Sequence, residues 1–283
     1  MIILNNLFSS YSVGNGCKYE SNNDNFFLIA GPCVIESREE TLHIAKTLDD
    51  ITNKLNIPFV FKGSLKKANR TRLSSFSGVG DMEAIKILKE VKETLKIPIT
   101  TDIHTIEDID KLEGIVDIIQ IPAFLSRQTD LIEAACETSL PLNIKKGQFL
   151  APSDMLNILK KCSFFKNERV MICERGTSFG YNNLIVDMLG MVELKKTQSP
   201  IIFDVTHSLQ RPGALGDKAD GRGSSVLELA RSGMSLGLAG LFLETHPNPE
   251  KALCDGPCAL ELDQLDNFLL QIKTLDDLIK SFV

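Results

Sequence analysis

The sequence predicts an α/β fold, a (β/α)8 TIM barrel in which eight parallel strands close into a ring covered by helices. The first observation is a series of eight short apolar runs between residues 26 and 244, separated by segments whose apolar residues recur three and four positions apart. The second is that nearly every run ends in a charged, amide, thiol or imidazole side chain, as at the catalytic end of such a barrel. The third is the length of 283 residues, which suffices for a single barrel domain over 1–283.

The apolar runs have the length and continuity of strands that are buried on both faces of a parallel sheet. In chain order they are FFLIA (26–30), PFVFK (58–62), PITTD (98–102), VDIIQ (116–120), PLNIK (141–145), RVMICER (169–175), PIIFDV (200–205) and GLFLE (240–244). An open doubly wound sheet also fits alternating strands and helices. Eight units with polar ends favour the closed ring.

The segments between the runs have one apolar and one charged face, so we expect them to form helices on the outside of the ring. They include residues 40–55, 81–95, 127–139, 152–162, 182–194, 224–238 and 261–283. Residues 1–24 form a short N-terminal extension, which we expect to be a strand pair closing the barrel bottom. Two long polar connections, 63–80 and 208–225, lie on the catalytic side, and the second is a candidate lid.

Composition excludes several classes of protein. A formal net charge of -6 argues against a general nucleic-acid binder, because affinity for phosphate backbones comes from clustered Lys and Arg. No apolar stretch reaches the roughly 18 residues of a membrane helix, and the first residues do not resemble a signal peptide. Seven scattered cysteines suggest reduced thiols. We therefore expect a cytoplasmic protein without nucleic-acid or membrane partners.

Several cations are expected to converge on the barrel mouth. Lys62, Lys145 and Arg175 end three different strands, and Arg127 stands at the start of the helix after the fourth strand. The connection FKGSLKKANRT adds further Lys and Arg residues, although a solvated basic loop is the simpler explanation for part of it. Cations that converge in this way predict a ligand with more than one negative group.

A second candidate group combines one thiol, one imidazole and two carboxylates. Cys33, His207, Glu244 and Asp255 follow strands one, seven and eight, which are neighbours in a closed barrel. This donor set suits a divalent cation such as iron, zinc, manganese or cobalt. A buried, inert thiol is the alternative for Cys33. Cys254 and Cys258 have a spacing that only weakly suggests a separate metal site.

The motifs, taken together and in order, resemble those of the 3-deoxy-D-manno-octulosonate 8-phosphate synthases. They are LIAGPCVIES, FKGSLKKANRT, TDIH, IIQIPAFLSRQTDL, NIKKGQF, ICERGTSFGY, IFDVTHSLQ and FLETHPNPEKALCDGP. The resemblance implies condensation of phosphoenolpyruvate with D-arabinose 5-phosphate, release of phosphate, a homotetramer and a role in lipopolysaccharide (Kdo) biosynthesis. A related synthase uses erythrose 4-phosphate, but its loop usually reads KPRT, so Ala68 and Asn69 favour the octulosonate enzyme.

The resemblance also implies roles for individual residues. Phosphoenolpyruvate would be held by Lys62, Lys67, Gln120, Lys145 and Arg175, with Ser64 beside them, and the sugar phosphate by Asn69, Arg70 and Thr71. Arg127 would reach the site of a neighbouring subunit. The candidates for catalysis are Asp102, His104, His207 and Lys145.

The family divides into metal-dependent and metal-independent enzymes. Cys in the position of Cys33 marks the metal-dependent branch, so Cys33, His207, Glu244 and Asp255 are the expected metal ligands. The CDGP motif at 254–257 is more frequent in the metal-independent branch, which implies a metal that is weakly held or partly dispensable. A non-catalytic barrel that binds phosphorylated metabolites is the alternative from a different class of protein.

Overall fold

The computed structural model describes residues 26–69, 74–213 and 220–282. The predicted N-terminal extension, residues 1–24, lies outside these ranges, as does its expected strand pair. Within the three ranges, none of the helices combines the length and the apolar character that crossing a lipid bilayer requires.

Eight parallel strands form the predicted ring. They are β1 (Phe27–Gly31), β2 (Phe59–Lys62), β3 (Ile99–Asp102), β4 (Ile118–Ile121), β5 (Leu142–Lys145), β6 (Val170–Glu174), β7 (Ile201–Asp204) and β8 (Gly240–His246). Each strand pairs with the next along the chain, and β8 also pairs with β1. The closed barrel is therefore confirmed, because an open sheet would leave β1 and β8 unpaired with each other.

Helices follow the strands and pack on the outside of the ring. They are α1 (Arg38–Leu55), α2 (Asp81–Leu95), α3 (Glu107–Leu112), α4 (Thr129–Glu137), α5 (Met155–Phe164), α6 (Met188–Lys195), α7 (Val205–Ser208), α8 (Val226–Met234) and α9 (Leu265–Lys280). The predicted helix over 182–194 begins only at Met188, because the Asp187 side chain caps it by accepting from Leu189 N. Leu184–Ile185 instead pairs with Thr177–Ser178 as a short antiparallel ribbon.

Side chains inside the ring alternate with side chains that face the helices, as the pleat of a strand requires. The interior cluster contains Phe27, Ile29, Val60, Ile118, Met171, Cys173, Ile202, Ala239 and Phe242. A larger apolar cluster fills the space between strands and helices, with Phe61, Ile119 and Ile144 among its strand residues. The barrel interior is therefore packed, and only its mouth is available for chemistry.

The long connection after β7 contains two short elements. Gln210–Arg211 pairs antiparallel with Asp220–Gly221, which brings the two ends of the 208–225 segment together. Residues 214–219 lie outside the described ranges, so the predicted lid remains a prediction.

Candidate active site at the barrel mouth

The period of two along the strands brings four predicted site residues, and also Asp204, to the mouth. Each lies two positions beyond an interior side chain, so it points into the ring one layer higher. The pairs are Val60 and Lys62, Ile118 and Gln120, Cys173 and Arg175, Ile202 and Asp204, and Phe242 and Glu244. All five of the outer members are buried.

Phe242 forms the floor beneath these polar side chains. The Lys145 ammonium lies 3.2 Å from the centroid of its ring, and the Lys62 ammonium lies 5.8 Å from it. The His207 and Phe242 ring centroids are 5.9 Å apart. The aromatic face therefore favours cations at the bottom of the mouth.

Asp204 connects two of the predicted catalytic residues. Its Oδ2 accepts from the Lys145 ammonium and lies 2.7 Å from Nδ1 of His207. Its Oδ1 accepts from the backbone N–H of His207 at 3.0 Å and from Thr206 Oγ1 at 3.2 Å. Burial opposes the charge of this carboxylate, but His207 and Lys145 outweigh burial and lower the Asp204 pKa far below its usual range.

Lys62 donates to three protein oxygens. Its ammonium lies 2.6 Å from Glu244 Oε1, 2.7 Å from the carbonyl of Cys33 and 3.0 Å from that of Pro32. The contacts with the two carbonyls stabilise the turn after β1, and the contact with Glu244 neutralises its carboxylate charge. Burial opposes ionisation of Glu244, but nearby His207, Lys62 and Lys67 together lower its pKa well below the usual range. A direct contact between Lys62 and substrate stays a prediction.

A second group of predicted residues lies beside this ion pair. The Lys67 ammonium donates to Ser64 Oγ at 2.9 Å and lies 4.0 Å from Glu244 Oε1. Burial opposes its charge, but Cys33, Asp102 and Glu244 together raise the Lys67 pKa well above its ordinary value.

Asp102 is buried beside Lys67 and faces His104, whose Nε2 lies 3.4 Å from Asp102 Oδ2. Burial favours the neutral acid, but Lys67, His104 and Lys62 lower the Asp102 pKa. The backbone N–H groups of His104 and Thr105 both donate to Asp108 Oδ2. Asp108 therefore fixes the loop that carries His104.

Arg175 has unsatisfied donors beside a large cleft. Its Nη2 donates to Gln210 Oε1 at 2.8 Å, whereas its buried Nη1 has no hydrogen-bond partner among the described residues. Lys67, His207 and Asp255 line the same cleft, which has a volume of about 1050 Å³. A buried guanidinium that faces such a cavity is suited to bind an anion bidentately.

The remaining predicted binding residues have different surroundings. Gln120 is buried, and its Oε1 accepts from Asn143 Nδ2 at 3.2 Å. Asn69 lies at the edge of the cleft, and Arg127 is exposed on the loop before α4. The predicted residues Arg70 and Thr71 lie outside the described residues.

The expected metal ligands form two groups that share Asp255. Donor atoms of His207, Glu244 and Asp255 all lie within 4.8 Å of one another, and so do those of Cys33, Cys254 and Asp255. His207 Nε2 is 3.5 Å from Glu244 Oε2, and Cys33 donates to Asp255 Oδ2 at 3.4 Å. The four predicted ligands thus meet around Asp255 rather than in one compact set.

The residues present fit a divalent cation. Asp204 lies beside Nδ1 of His207, so the other ring nitrogen, Nε2, is directed at the Glu244 carboxylate. A carboxylate at one ring nitrogen commonly orients a histidine that binds a metal through the other. Burial, the sulfur of Cys254 and the Glu244 charge raise the Cys33 pKa well above its ordinary value. A nearby cation would reverse that preference and stabilise the thiolate.

His246 belongs to a third group, with Glu36 and Glu40. Its Nδ1 accepts from the backbone N–H of Asn248 at 3.0 Å, so Nε2 carries the proton and faces Glu40 Oε1 at 3.2 Å. Glu36 Oε1 accepts from the backbone N–H of Leu253 at 2.9 Å. This group holds the loop after β8 against the start of α1.

Two important residues had no assigned role in the sequence-based prediction. Asp204 ends a strand three residues before His207, and its inward position after Ile202 was the available signal. Cys254 was considered only with Cys258, whereas the structure brings it to Cys33. The contact between Cys254 and Cys33 joins loops more than two hundred residues apart, and no local pattern in the sequence predicts it.

Comparison with known proteins identifies the family of the chain. The DAHP synthetase I family model matches residues 13–281. The 2-dehydro-3-deoxyphosphooctonate aldolase of Shewanella halifaxensis (strain HAW-EB4) is 53% identical over 262 residues, 93% of each chain. That of Shewanella woodyi (strain ATCC 51908 / MS32) is 52% identical over 274 residues, 97% of each chain. The resemblance to the octulosonate phosphate synthases is therefore confirmed, and the chain belongs to the DAHP synthetase I family.

Proposed function

We propose that this protein condenses phosphoenolpyruvate with D-arabinose 5-phosphate and water to give 3-deoxy-D-manno-octulosonate 8-phosphate and inorganic phosphate. It is a transferase of lipopolysaccharide (Kdo) biosynthesis. The observation that carries the proposal is the buried cationic mouth, in which Arg175 has an unsatisfied donor and faces the cleft. Relatives at 52–53% identity are named 2-dehydro-3-deoxyphosphooctonate aldolase, which is another name for the enzyme of this reaction.

The cations prepare the mouth for two phosphates and a carboxylate. Arg175 presents a planar donor pair, and Lys67 keeps its charge because surrounding carboxylates raise its pKa. Lys145 is held by Asp204 against the Phe242 ring. These side chains hold phosphoenolpyruvate in a fixed orientation, so the sugar aldehyde meets its C3 carbon without a further ordering cost. Asn69, Arg70 and Thr71 bind the sugar phosphate, and Gln120 and Ser64 complete the binding set.

Proton transfer is assigned to groups whose orientation is fixed. Asp204 fixes Nδ1 of His207, so Nε2 faces the mouth, where it would bind the cation when a metal is present and would exchange protons only without one. Asp102, the last residue of β3, and His104, in the loop that follows, form a second polar pair. A general acid or base must come within hydrogen-bond reach of the reacting group, and these two imidazoles are the candidates for that role.

Cys33, His207, Glu244 and Asp255 would hold a divalent iron, zinc, manganese or cobalt ion. Such an ion supplies Lewis-acid polarisation of a carbonyl oxygen or activation of a water. Activity that is unchanged after exhaustive chelation would contradict metal dependence. A Cys33→Asn variant that is active without metal would place this chain one substitution from the metal-independent branch.

We also propose a homotetramer in the cytoplasm. Four aromatic side chains beyond β4, β5 and β6 are exposed: Phe124, Phe149, Phe179 and Tyr181. Apolar surface of this kind supports contact with another copy of the chain, and the exposed Arg127 follows Phe124 by three residues. None of the six described cysteines forms a disulfide, which suits a reducing compartment. Light scattering of the purified protein tests the tetramer.

A substrate assay separates the candidate functions. Phosphate release is measured with phosphoenolpyruvate and either arabinose 5-phosphate or erythrose 4-phosphate. The proposed synthase turns over the five-carbon sugar preferentially. Preference for erythrose 4-phosphate indicates the aromatic-pathway reaction, and binding without turnover of either sugar indicates a phosphometabolite sensor.

A further inference from the structure

We propose that Cys254 is a second sulfur donor to the divalent cation, so that this chain binds its metal with two thiolates instead of one. The inference rests on the proposed metal-dependent function and makes its metal site more specific. The three donors that meet on this side of the mouth are Cys33, Cys254 and Asp255, whose donor atoms all lie within 4.8 Å of one another.

The two thiols are placed for a common ligand. Both are buried, with 6% of Cys33 and 4% of Cys254 exposed. Their sulfur atoms are close enough to share a hydrogen bond, and Cys33 also donates to Asp255 Oδ2 at 3.4 Å. Val34 and Phe76 pack against them, so the sulfur atoms lie in an apolar corner beside the polar cleft.

The loops that carry the thiols are fixed from both sides. The carbonyl of Cys33 accepts from the buried Lys62 ammonium at 2.7 Å. The backbone next to Cys254 is held where Leu253 N–H donates to Glu36. Asp255 has a left-handed backbone, with φ of 49°, which turns its carboxylate back towards both donor groups. The pair of thiols is therefore positioned by the fold rather than by the metal.

A second thiolate changes which metals the site prefers. Two sulfurs with one imidazole and carboxylates form a softer donor set than one sulfur with the same other ligands. The affinity for zinc, cobalt and ferrous iron therefore rises relative to that for manganese and magnesium. Loss of Cys254 should therefore weaken zinc binding and shift the selectivity towards manganese. This predicted change concerns metal selectivity and does not require that Cys254 contact the substrate.

Cobalt(II) reports the number of thiolate ligands directly, because each sulfur-to-cobalt bond adds charge-transfer absorption in the near ultraviolet. The intact protein, stripped of metal and kept reduced with a phosphine, is titrated with cobalt(II). The same titration is made with Cys254→Ser and Cys33→Ser. Cys258→Ser is the matched control, since Cys258 is buried in the same segment but belongs to neither donor group around Asp255.

We expect Cys254→Ser and Cys33→Ser each to remove about half of the charge-transfer absorbance per bound cobalt, and Cys258→Ser to remove none. Full absorbance per bound cobalt in Cys254→Ser overturns the inference while leaving the metal site in place. Failure of the parent protein to bind cobalt overturns both the inference and the metal dependence. Cys254→Ala should lose the same absorbance as Cys254→Ser, and the circular dichroism spectrum of each variant shows whether it is folded. Phosphate release by the parent protein tests the synthase activity separately.

Discussion

Asp204 Oδ2 lies 2.7 Å from Nδ1 of His207, and the same oxygen accepts from the Lys145 ammonium. One buried carboxylate thus orients an imidazole and neutralises a cation at the mouth. Replacement Asp204→Asn keeps the shape of the side chain but removes the charge. We expect kcat/KM to fall roughly 10- to 100-fold, the usual cost of losing such an orienting partner. Steady-state phosphate release measures it.

The control is Asp187→Asn, because Asp187 is an exposed helix cap that is not among the residues lining the cleft. It should retain activity at a small cost in thermal stability. Full activity in Asp204→Asn would show that neither His207 nor Lys145 depends on this carboxylate.

The ion pair between Lys62 and Glu244 is almost completely buried, with side-chain exposures of 1% and 2%. Replacement Lys62→Met leaves Glu244 without its closest cation. The free energy of unfolding should fall by about 3–5 kcal/mol, because an unpaired charge remains in the interior. Urea denaturation followed by circular dichroism measures the change.

Adding Glu244→Leu to Lys62→Met tests the cause of the loss. The double variant should recover much of the stability and remain inactive, because it lacks a predicted metal ligand. Equal instability of the single and double variants would show that packing, and not the unpaired carboxylate, causes the loss.

Arg175 combines one protein partner with one unsatisfied donor. Replacement Arg175→Lys preserves the charge but removes the planar fork. A hydrogen bond to a charged group contributes about 1.5–3 kcal/mol, so kcat/KM for phosphoenolpyruvate should fall roughly 10- to 100-fold. Arg231→Lys, an exposed change on α8, is the control and should behave like the parent. An unchanged kcat/KM in Arg175→Lys would show that the guanidinium of Arg175 does not bind phosphoenolpyruvate.

Asp108 provides a prediction for acid stability. Burial opposes its charge, but Lys66 and the backbone N–H groups of His104 and Thr105 lower the Asp108 pKa to about 2. Because this value lies below the roughly 3.9 of an unfolded Asp, the carboxylate stabilises the fold above that pH. The contribution is lost as the pH falls through about 2.

Asp108→Asn should therefore be less stable than the parent near neutral pH, with a difference that shrinks as the pH falls below about 3.9. Urea denaturation at a series of pH values measures it. Asp263→Asn, at an exposed carboxylate, is the control. A difference that is independent of pH would mean that Asp108 acts through shape alone.

The sequence was sufficient to predict the barrel, because apolar runs and the alternation of inward and outward side chains along a strand are local properties. The inward positions of Lys62, Gln120, Lys145 and Glu244 follow from the same alternation. The contacts that these side chains make were not predictable. The Lys62 ammonium is held by two carbonyls of the turn after β1, and backbone acceptors leave no signature in residue identity.

The arrangement of the candidate metal donors was only partly predictable for a related reason. Because their strands are neighbours, Cys33, His207, Glu244 and Asp255 were expected to lie close together, and the structure brings them into two groups that share Asp255. The arrangement around Asp255 depends on its left-handed backbone, which is unusual for a residue other than glycine and is not evident from CDGP. That conformation also brings Cys254 into the site.

Pairing between β1 and β8 has a consequence for how the protein is made. The hydrogen bond from Cys33 to Asp255 spans 222 residues, so the donors that share Asp255 come from opposite ends of the chain. Loop closure over such a separation is slow and requires nearly the whole sequence. A nascent chain still attached at α9 cannot assemble this corner of the mouth until β8 and the loop beyond it have emerged. Under the proposed metal dependence, a cation would therefore be bound only when synthesis is nearly complete.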